Sequence, residues 1–210
     1  MIFSLERGIY LASRSPRRRE LLAQIDVRFH LLLFRARPGQ DVEVDETPLA
    51  GEVAGDYVER LARVKADAGW RRMLQRNLPR APVLSADTTV SVDGRILGKP
   101  ASREEATGML GSLSGREHEV LTAVALKHDD WLQCVVSRST VRFKALSAAE
   151  IADYVERGEA DDMAGAYAIQ GRAARFIVEL RGSYSGVMGL PLYETSQLLD
   201  KARQELARRI

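Results

Sequence analysis

A chain of 210 residues, 45% hydrophobic and 29% charged, has the length for a sizeable core and the composition of a soluble globular protein, which excludes disordered and fibrous classes. A formal net charge of +2 demands neither nucleic acid nor a membrane surface as partner, and a single cysteine, Cys134, excludes an intramolecular disulfide and a paired-cysteine metal site. No apolar run approaches the ~20 residues of a membrane-spanning helix, and residues 1–7 lack the apolar core and cleavage site of a signal peptide, so a cytoplasmic protein is expected.

Ile9-Tyr10-Leu11-Ala12 suits a short buried strand, and it runs into Ser13-Arg14-Ser15-Pro16-Arg17-Arg18-Arg19-Glu20-Leu21-Leu22. Ser15 is a good N-cap and Pro16 a good first helical residue, which predicts a helix over 16–25 with Leu21, Leu22 and Ile25 on one face. A basic helix start after a strand is where an α/β protein tends to bind a polyanion, and Arg holds phosphate oxygens with paired hydrogen bonds. The same letters also suit a capped surface helix with solvated arginines. Residues 29–34 read as a strand and 35–47 as a polar loop. A long amphipathic helix follows over 53–75, with Val53, Tyr57, Leu61 and Val64 at helical spacing. Two prolines between 76 and 82 end it.

Residues 83–92 read as a strand, turned by Asp93-Gly94 onto a return strand over 95–98. Ser102 with Glu105 predicts a capping box before a helix to 113, and Ser147 with Glu150 a second box before a helix ending at Gly158. Between them, 119–127 and 132–143 form an antiparallel hairpin about His128-Asp129-Asp130. A strand over 175–180 and a terminal helix over 193–208 complete the chain. Hairpins together with strand–helix–strand connections predict an α/β fold with a mixed central sheet and flanking helices, a single domain over 1–210.

Several constellations bear on chemistry. Asp87, beside Thr88 and Thr89 at the end of an apolar stretch, suits a general base or a magnesium ligand, or equally an Asp closing a strand. Lys99, between Gly98 and Pro100, suits a held phosphate ligand or a plain turn lysine. Lys65, after Arg60 and Arg63, reads as part of a solvated helix face. Asp41, Glu43, Asp45 and Glu46 form an acidic loop that suits either Mg²⁺ or simple solvation. Gln170 carries an amide that reads a pyrimidine edge or satisfies a tight backbone crossing. His30, His118 and His128 lack metal-ligand spacing, and Cys134 sits in an apolar strand pattern as a core cysteine.

Taken in order, Leu11 to Leu22, Ala86-Asp87-Thr88, Gly98-Lys99-Pro100, Leu113-Ser114-Gly115-Arg116 with His118-Glu119-Val120, Ala164-Gly165-Ala166-Tyr167 with Ile169-Gln170-Gly171, Gly182-Ser183-Tyr184 and Gly189-Leu190-Pro191-Leu192 resemble the Maf family of nucleoside triphosphate pyrophosphatases. The resemblance spans about residues 9–195. It implies a fold like the inosine triphosphate pyrophosphatases, with two lobes about a cleft. It also implies hydrolysis of a nucleoside triphosphate to the monophosphate and pyrophosphate with a divalent metal, Mg²⁺ or Mn²⁺. The Ala-Tyr-x-Ile-Gln-Gly form is similar to the branch acting on dTTP and UTP.

By position, the resemblance makes Asp87 the proton acceptor and a metal ligand. Arg17, Thr88 and Gln170 become substrate-choosing residues, and Ser13, Arg18, Lys65 and Lys99 phosphate contacts. Asp45 or Glu46 becomes the carboxylate assisting metal or water. A homodimer is expected on the same ground. Two departures stand out: Met163 where the family often has Lys, and a loop over 35–44 longer than usual. The competing readings are hydrolysis of methylated GTP or another modified nucleotide, and a nucleotide-binding regulator without catalysis.

Overall fold

The computed structural model describes residues 8–33 and 44–208. The expectations for Asp41, Glu43 and the loop over 35–43 therefore lie outside the described residues, as do those for residues 1–7.

Seven strands form one mixed sheet. β1 (Ile9–Leu11) lies between β2 (Phe29–Leu31) and β3 (Val83–Val92), parallel to both. β3 then pairs antiparallel with β5 (Glu117–His128), β5 with β6 (Trp131–Phe143) and β6 with β7 (Ile177–Arg181). β4 (Arg95–Leu97) turns back on the far end of β3. The helices are α1 (Pro16–Gln24), α2 (Ala54–Gln75), α3 (Arg103–Leu113), α4 (Ala148–Glu156), α5 (Tyr184–Met188) and α6 (Leu192–Arg208). The mixed α/β architecture is as the alternation of patterns predicts.

One feature of register positions the site. β1 pairs with β3 only as far as Leu84, and β4 takes up the same edge only from Val90. Between those residues no strand of the described residues lies beside the edge of β3. Asp87 and Thr88 sit at the middle of this gap. Cores lie to either side of it. One gathers Leu21, Leu22, Leu84, Ala86 and Leu198, and the other gathers Val90, Leu97, Leu110, Phe143, Tyr154 and Phe176.

α2 covers one sheet face. Its buried stripe runs through Ala54, Tyr57, Val58, Leu61, Ala62 and Ala66, while Val53 and Val64 are exposed. The apolar face is thus rotated from the one expected at 53, 57, 61 and 64. The Ser85 hydroxyl donates to the Ala62 carbonyl at 2.6 Å, and a Cβ on Gly69 would lie 2.8 Å from Val83, so α2 rests directly on β3. That contact places Lys65, one turn beyond Leu61, on the sheet side.

Capping differs from expectation in two places. Ser147 and Glu150 make the full reciprocal box. Ser102 caps Glu105, but the Glu105 carboxylate reaches past it to the Ala101 amide. Ser15 does not cap α1; its own N–H donates to the Ser13 hydroxyl at 3.2 Å, and the first turn meets the cavity without a capping side chain. The strand expected from 175 starts at Ile177. Arg172–Phe176 is a 3-10 turn that carries Ala173 and Phe176 into the core, because β6 ends at Phe143 and offers no earlier partner. No helix of the described residues is long and apolar enough to cross a membrane.

His118 is buried in an aromatic cluster with Phe143 and Tyr167, and its Nε2 lies 2.8 Å from the Tyr167 hydroxyl. Its Nδ1 has no partner among the described residues. Desolvation pushes its pKa down to about 4. The unfolded chain therefore binds a proton near pH 6.5 that the folded chain refuses until about pH 4, so the stability is present above pH 6.5 and is lost as pH falls through that window. Each tenfold change in proton affinity is worth about 1.4 kcal/mol, which makes the full loss about 3 kcal/mol. His118→Phe is expected to flatten the fall in melting temperature between pH 7 and 4.5. An unchanged fall would place the acid sensitivity elsewhere.

Candidate active site

The gap in the β3 edge opens into a cavity of about 830 Å³. Residue alternation along β3 sends Asp87 to the α2 face and Thr88 to the opposite face, and both line the cavity. The site therefore has two polar walls meeting at the open edge.

On the α2 wall, the Lys65 ammonium lies 2.6 Å from Asp87 Oδ1 and 2.7 Å from Glu46 Oε1. Lys65 is not on a solvated face: its side chain is 17% exposed and that of Asp87 10%. The Tyr57 hydroxyl donates to the Glu46 carbonyl at 2.9 Å and so fixes the loop that presents Glu46. Burial, reinforced by the charges of Asp87 and Glu46, pushes the Tyr57 phenol up to about 12. Asp45 turns away from this cluster. Its Oδ1 accepts from the Thr47 amide at 2.9 Å, and the Thr47 side chain, with that amide second, lowers its pKa. Of the two expected carboxylates, Glu46 lines the cavity.

On the other wall stands Arg18. Its Nε donates to the Gly189 carbonyl at 2.8 Å, its Nη1 to Ser13 Oγ at 3.2 Å and its Nη2 to Thr88 Oγ1 at 3.2 Å. All three acceptors are neutral. Desolvation lowers the Arg18 pKa, with Asp87 and Glu46 acting in the opposite sense from a distance. Such a guanidinium, oriented but without a counter-charge within 4 Å among the described residues, has the chemistry that suits an anion.

Arg17, Lys99 and Gln170 surround the mouth. Arg17 Nη2 points at the Met163 sulfur. Lys99 is largely exposed, 3.5 Å from Asp162. Gln170 is exposed on the rim, with no hydrogen bond to any described residue. The 3-10 turn Ala164–Ala166 packs on Val90. Gly165 has φ 68°, and a Cβ there would lie 2.8 Å from Val90 Cγ2. Of the residues to which the family resemblance gives a site role, all but Asp45 line this one cavity.

Two contributors escape sequence reading. Tyr57 looks like an ordinary core position of α2, and Thr122 like any β5 residue. Only the β3–β5 register, which sets Thr122 directly opposite Thr88, reveals the second.

A divalent cation is compatible with this donor set. Asp87 and Glu46 already converge on one cationic atom, Lys65 Nζ. No group of three or more His, Cys, Asp or Glu side chains among the described residues forms a closed metal cage. One or two carboxylates completed by substrate oxygens is how Mg²⁺ is commonly held.

The chain is similar to curated proteins over nearly its full extent. The dTTP/UTP pyrophosphatase of Nitrosomonas europaea is 55% identical over 201 residues, covering 96% of this chain and 97% of the relative. That of Aromatoleum aromaticum is 57% identical over 197 residues, 93% and 96% of the two chains. That of Burkholderia lata is 55% identical over 93% of each. Among solved structures, the Staphylococcus aureus Ham1 protein aligns with a TM-score of 0.42 and 16% identity over 64% of this chain and 71% of that one, too weak a likeness to bear on fold or function. The family model for Maf-like proteins matches residues 8–202, and the chain therefore belongs to the Maf family.

Proposed function

We propose that this protein hydrolyses dTTP and UTP to the monophosphate and pyrophosphate. The observation that carries the reading is one cavity holding both a carboxylate set against an ammonium, Asp87 with Lys65, and an oriented guanidinium without a counter-charge, Arg18. The choice of pyrimidine rests on the names of relatives 52–57% identical to this chain.

In this reading a polyanionic triphosphate enters between the walls. Arg18, held by Gly189 and Ser13, binds phosphate oxygens, with Lys99 and Arg17 adding charge at the mouth. Asp87 accepts the proton of a water whose oxygen bonds to the α-phosphorus, and the bond from that phosphorus to the bridging oxygen breaks as pyrophosphate leaves. Lys65, 2.6 Å from Asp87 Oδ1, orients that carboxylate, and its charge meets the negative charge that builds on the phosphoryl oxygens. Asp87 and Glu46 would hold a divalent cation, Mg²⁺ or Mn²⁺, which when bound polarises phosphate oxygens. Gln170, Arg17 and Thr88 lie where the nucleoside is read. The family resemblance supports a cytoplasmic enzyme and a homodimer.

The test is pyrophosphate release from a panel of UTP, dTTP, CTP, ITP and methylated GTP, with Mg²⁺ or Mn²⁺. Turnover of UTP and dTTP above the others is the expected result. Turnover of methylated GTP or ITP instead would overturn the choice of pyrimidine, and no turnover of any would overturn the enzyme.

A further inference from the structure

Thr122 is 1% exposed and touches no open part of the cavity, yet its hydroxyl joins the Arg18 wall. Its Oγ1 donates to the Gly186 carbonyl at 2.7 Å and lies 2.9 Å from Thr88 Oγ1. A carbonyl only accepts, so the single Thr122 proton is committed to Gly186. The hydrogen bond between the two threonines then has one direction: Thr88 donates and Thr122 accepts. Thr88 Oγ1 also accepts from Arg18 Nη2 at 3.2 Å. A hydroxyl has one proton and two lone pairs. The proton and one lone pair of Thr88 are therefore used, and what faces the cavity is one lone pair.

We infer that Thr122 is a positioning residue that makes Thr88 an acceptor-only group, so that Thr88 reads a hydrogen-bond donor on the nucleoside part of the substrate and not a phosphate oxygen. The inference rests on the proposed nucleotide substrate. Phosphate oxygens at neutral pH only accept, and a lone pair aimed at one repels it. UTP and dTTP share two suitable donors, the imide N3–H of the base and the sugar 3′-hydroxyl. Cytosine has no N–H at N3. The chain Gly186–Thr122–Thr88–Arg18 also ties the α5 turn to the arginine wall, so the direction of the Thr88 proton is set by backbone on one side and a fixed cation on the other.

The experiment measures binding of α,β-imido UTP by calorimetry to the full chain, the wild type beside Thr122→Val and Thr122→Ser. Two further probes each remove one donor: the α,β-imido triphosphates of 3-methyluridine and of 3′-deoxyuridine. A well-made hydrogen bond is worth roughly tenfold in affinity. The wild type is expected to bind one donor-deleted probe at least tenfold more weakly than its parent, and which one identifies the donor. In Thr122→Val, which frees the Thr88 proton, that penalty should fall to about threefold or less. In Thr122→Ser it should return. Comparing penalties between variants cancels the steric cost of the added methyl. Equal binding of all three probes by the wild type, a penalty that survives in Thr122→Val, or a serine variant that behaves like valine would each overturn the inference. If Thr122→Val does not fold, Thr88→Val is read in its place, and an undiminished penalty there overturns it equally. The probes are not turned over, so the penalties are read even if wild type fails to release pyrophosphate from UTP, a failure that would count against the proposed activity alone.

Discussion

Asp87→Asn is expected to lower kcat on UTP and dTTP by about 10²–10⁴-fold, the range of a lost general base, with little change in melting temperature. The amide has the shape of the carboxylate, and its oxygen still accepts from Lys65, which keeps its 2.7 Å contact with Glu46. What it lacks is the ability to take a proton from water. Asp87 sits where no strand of the described residues covers the open edge of β3, so the substituted side chain faces the cavity and strains no packing. Steady-state pyrophosphate release and a thermal melt on the same preparation decide it. Full activity in the variant would remove Asp87 from the role.

Lys65→Met carries the second large effect. The methionine keeps most of the aliphatic stem and removes the ammonium. Asp87 and Glu46 are then left facing one another's field without the cation that joins them. Loss of a single preorganised charge at developing negative charge costs about 10²–10³-fold in kcat, and that is the expected loss here. Breaking a fully buried pair costs about 3–5 kcal/mol, but the Glu46 side chain is 52% exposed and the pair opens on solvent, so a stability loss of about 1–2 kcal/mol is expected. Kinetics and denaturant unfolding on the variant measure the two separately. A variant that loses stability while retaining kcat would make Lys65 a structural residue only.

Local signals carried much of this architecture. The Ser147/Glu150 box, the Asp93-Gly94 turn and the long amphipathic run of α2 depend on neighbours in the chain, and the structure has them where the residues imply. The cleft itself is not a local property. It arises because β1 stops at Leu11 and β4 rejoins β3 only at Val90, and the length of a pairing is set by tertiary packing. For the same reason Lys65 reads as solvated from its neighbours Arg60 and Arg63, whereas the rotation of α2 on β3 turns it to Asp87. Asp45 and Glu46 are adjacent letters of one acidic loop, and only the Thr47 turn and the Tyr57 anchor separate their directions. Ser15 looks like a cap, but the nearby Ser13 hydroxyl takes its amide and also receives Arg18. The Met163 departure has a local meaning too: its thioether meets Arg17 at the cavity mouth, so the position is occupied by packing and not by charge.

The most direct test of the account is where water's oxygen goes. UTP is hydrolysed by the wild type in ¹⁸O-enriched water, and the products are separated and weighed by mass spectrometry. Attack at the α-phosphorus by a water that Asp87 deprotonates predicts one ¹⁸O in UMP, none in pyrophosphate and no orthophosphate at early times. Label in pyrophosphate, or orthophosphate as the first product, would place the attack on another phosphorus and contradict the arrangement of Asp87, Lys65 and Arg18 proposed for this cavity.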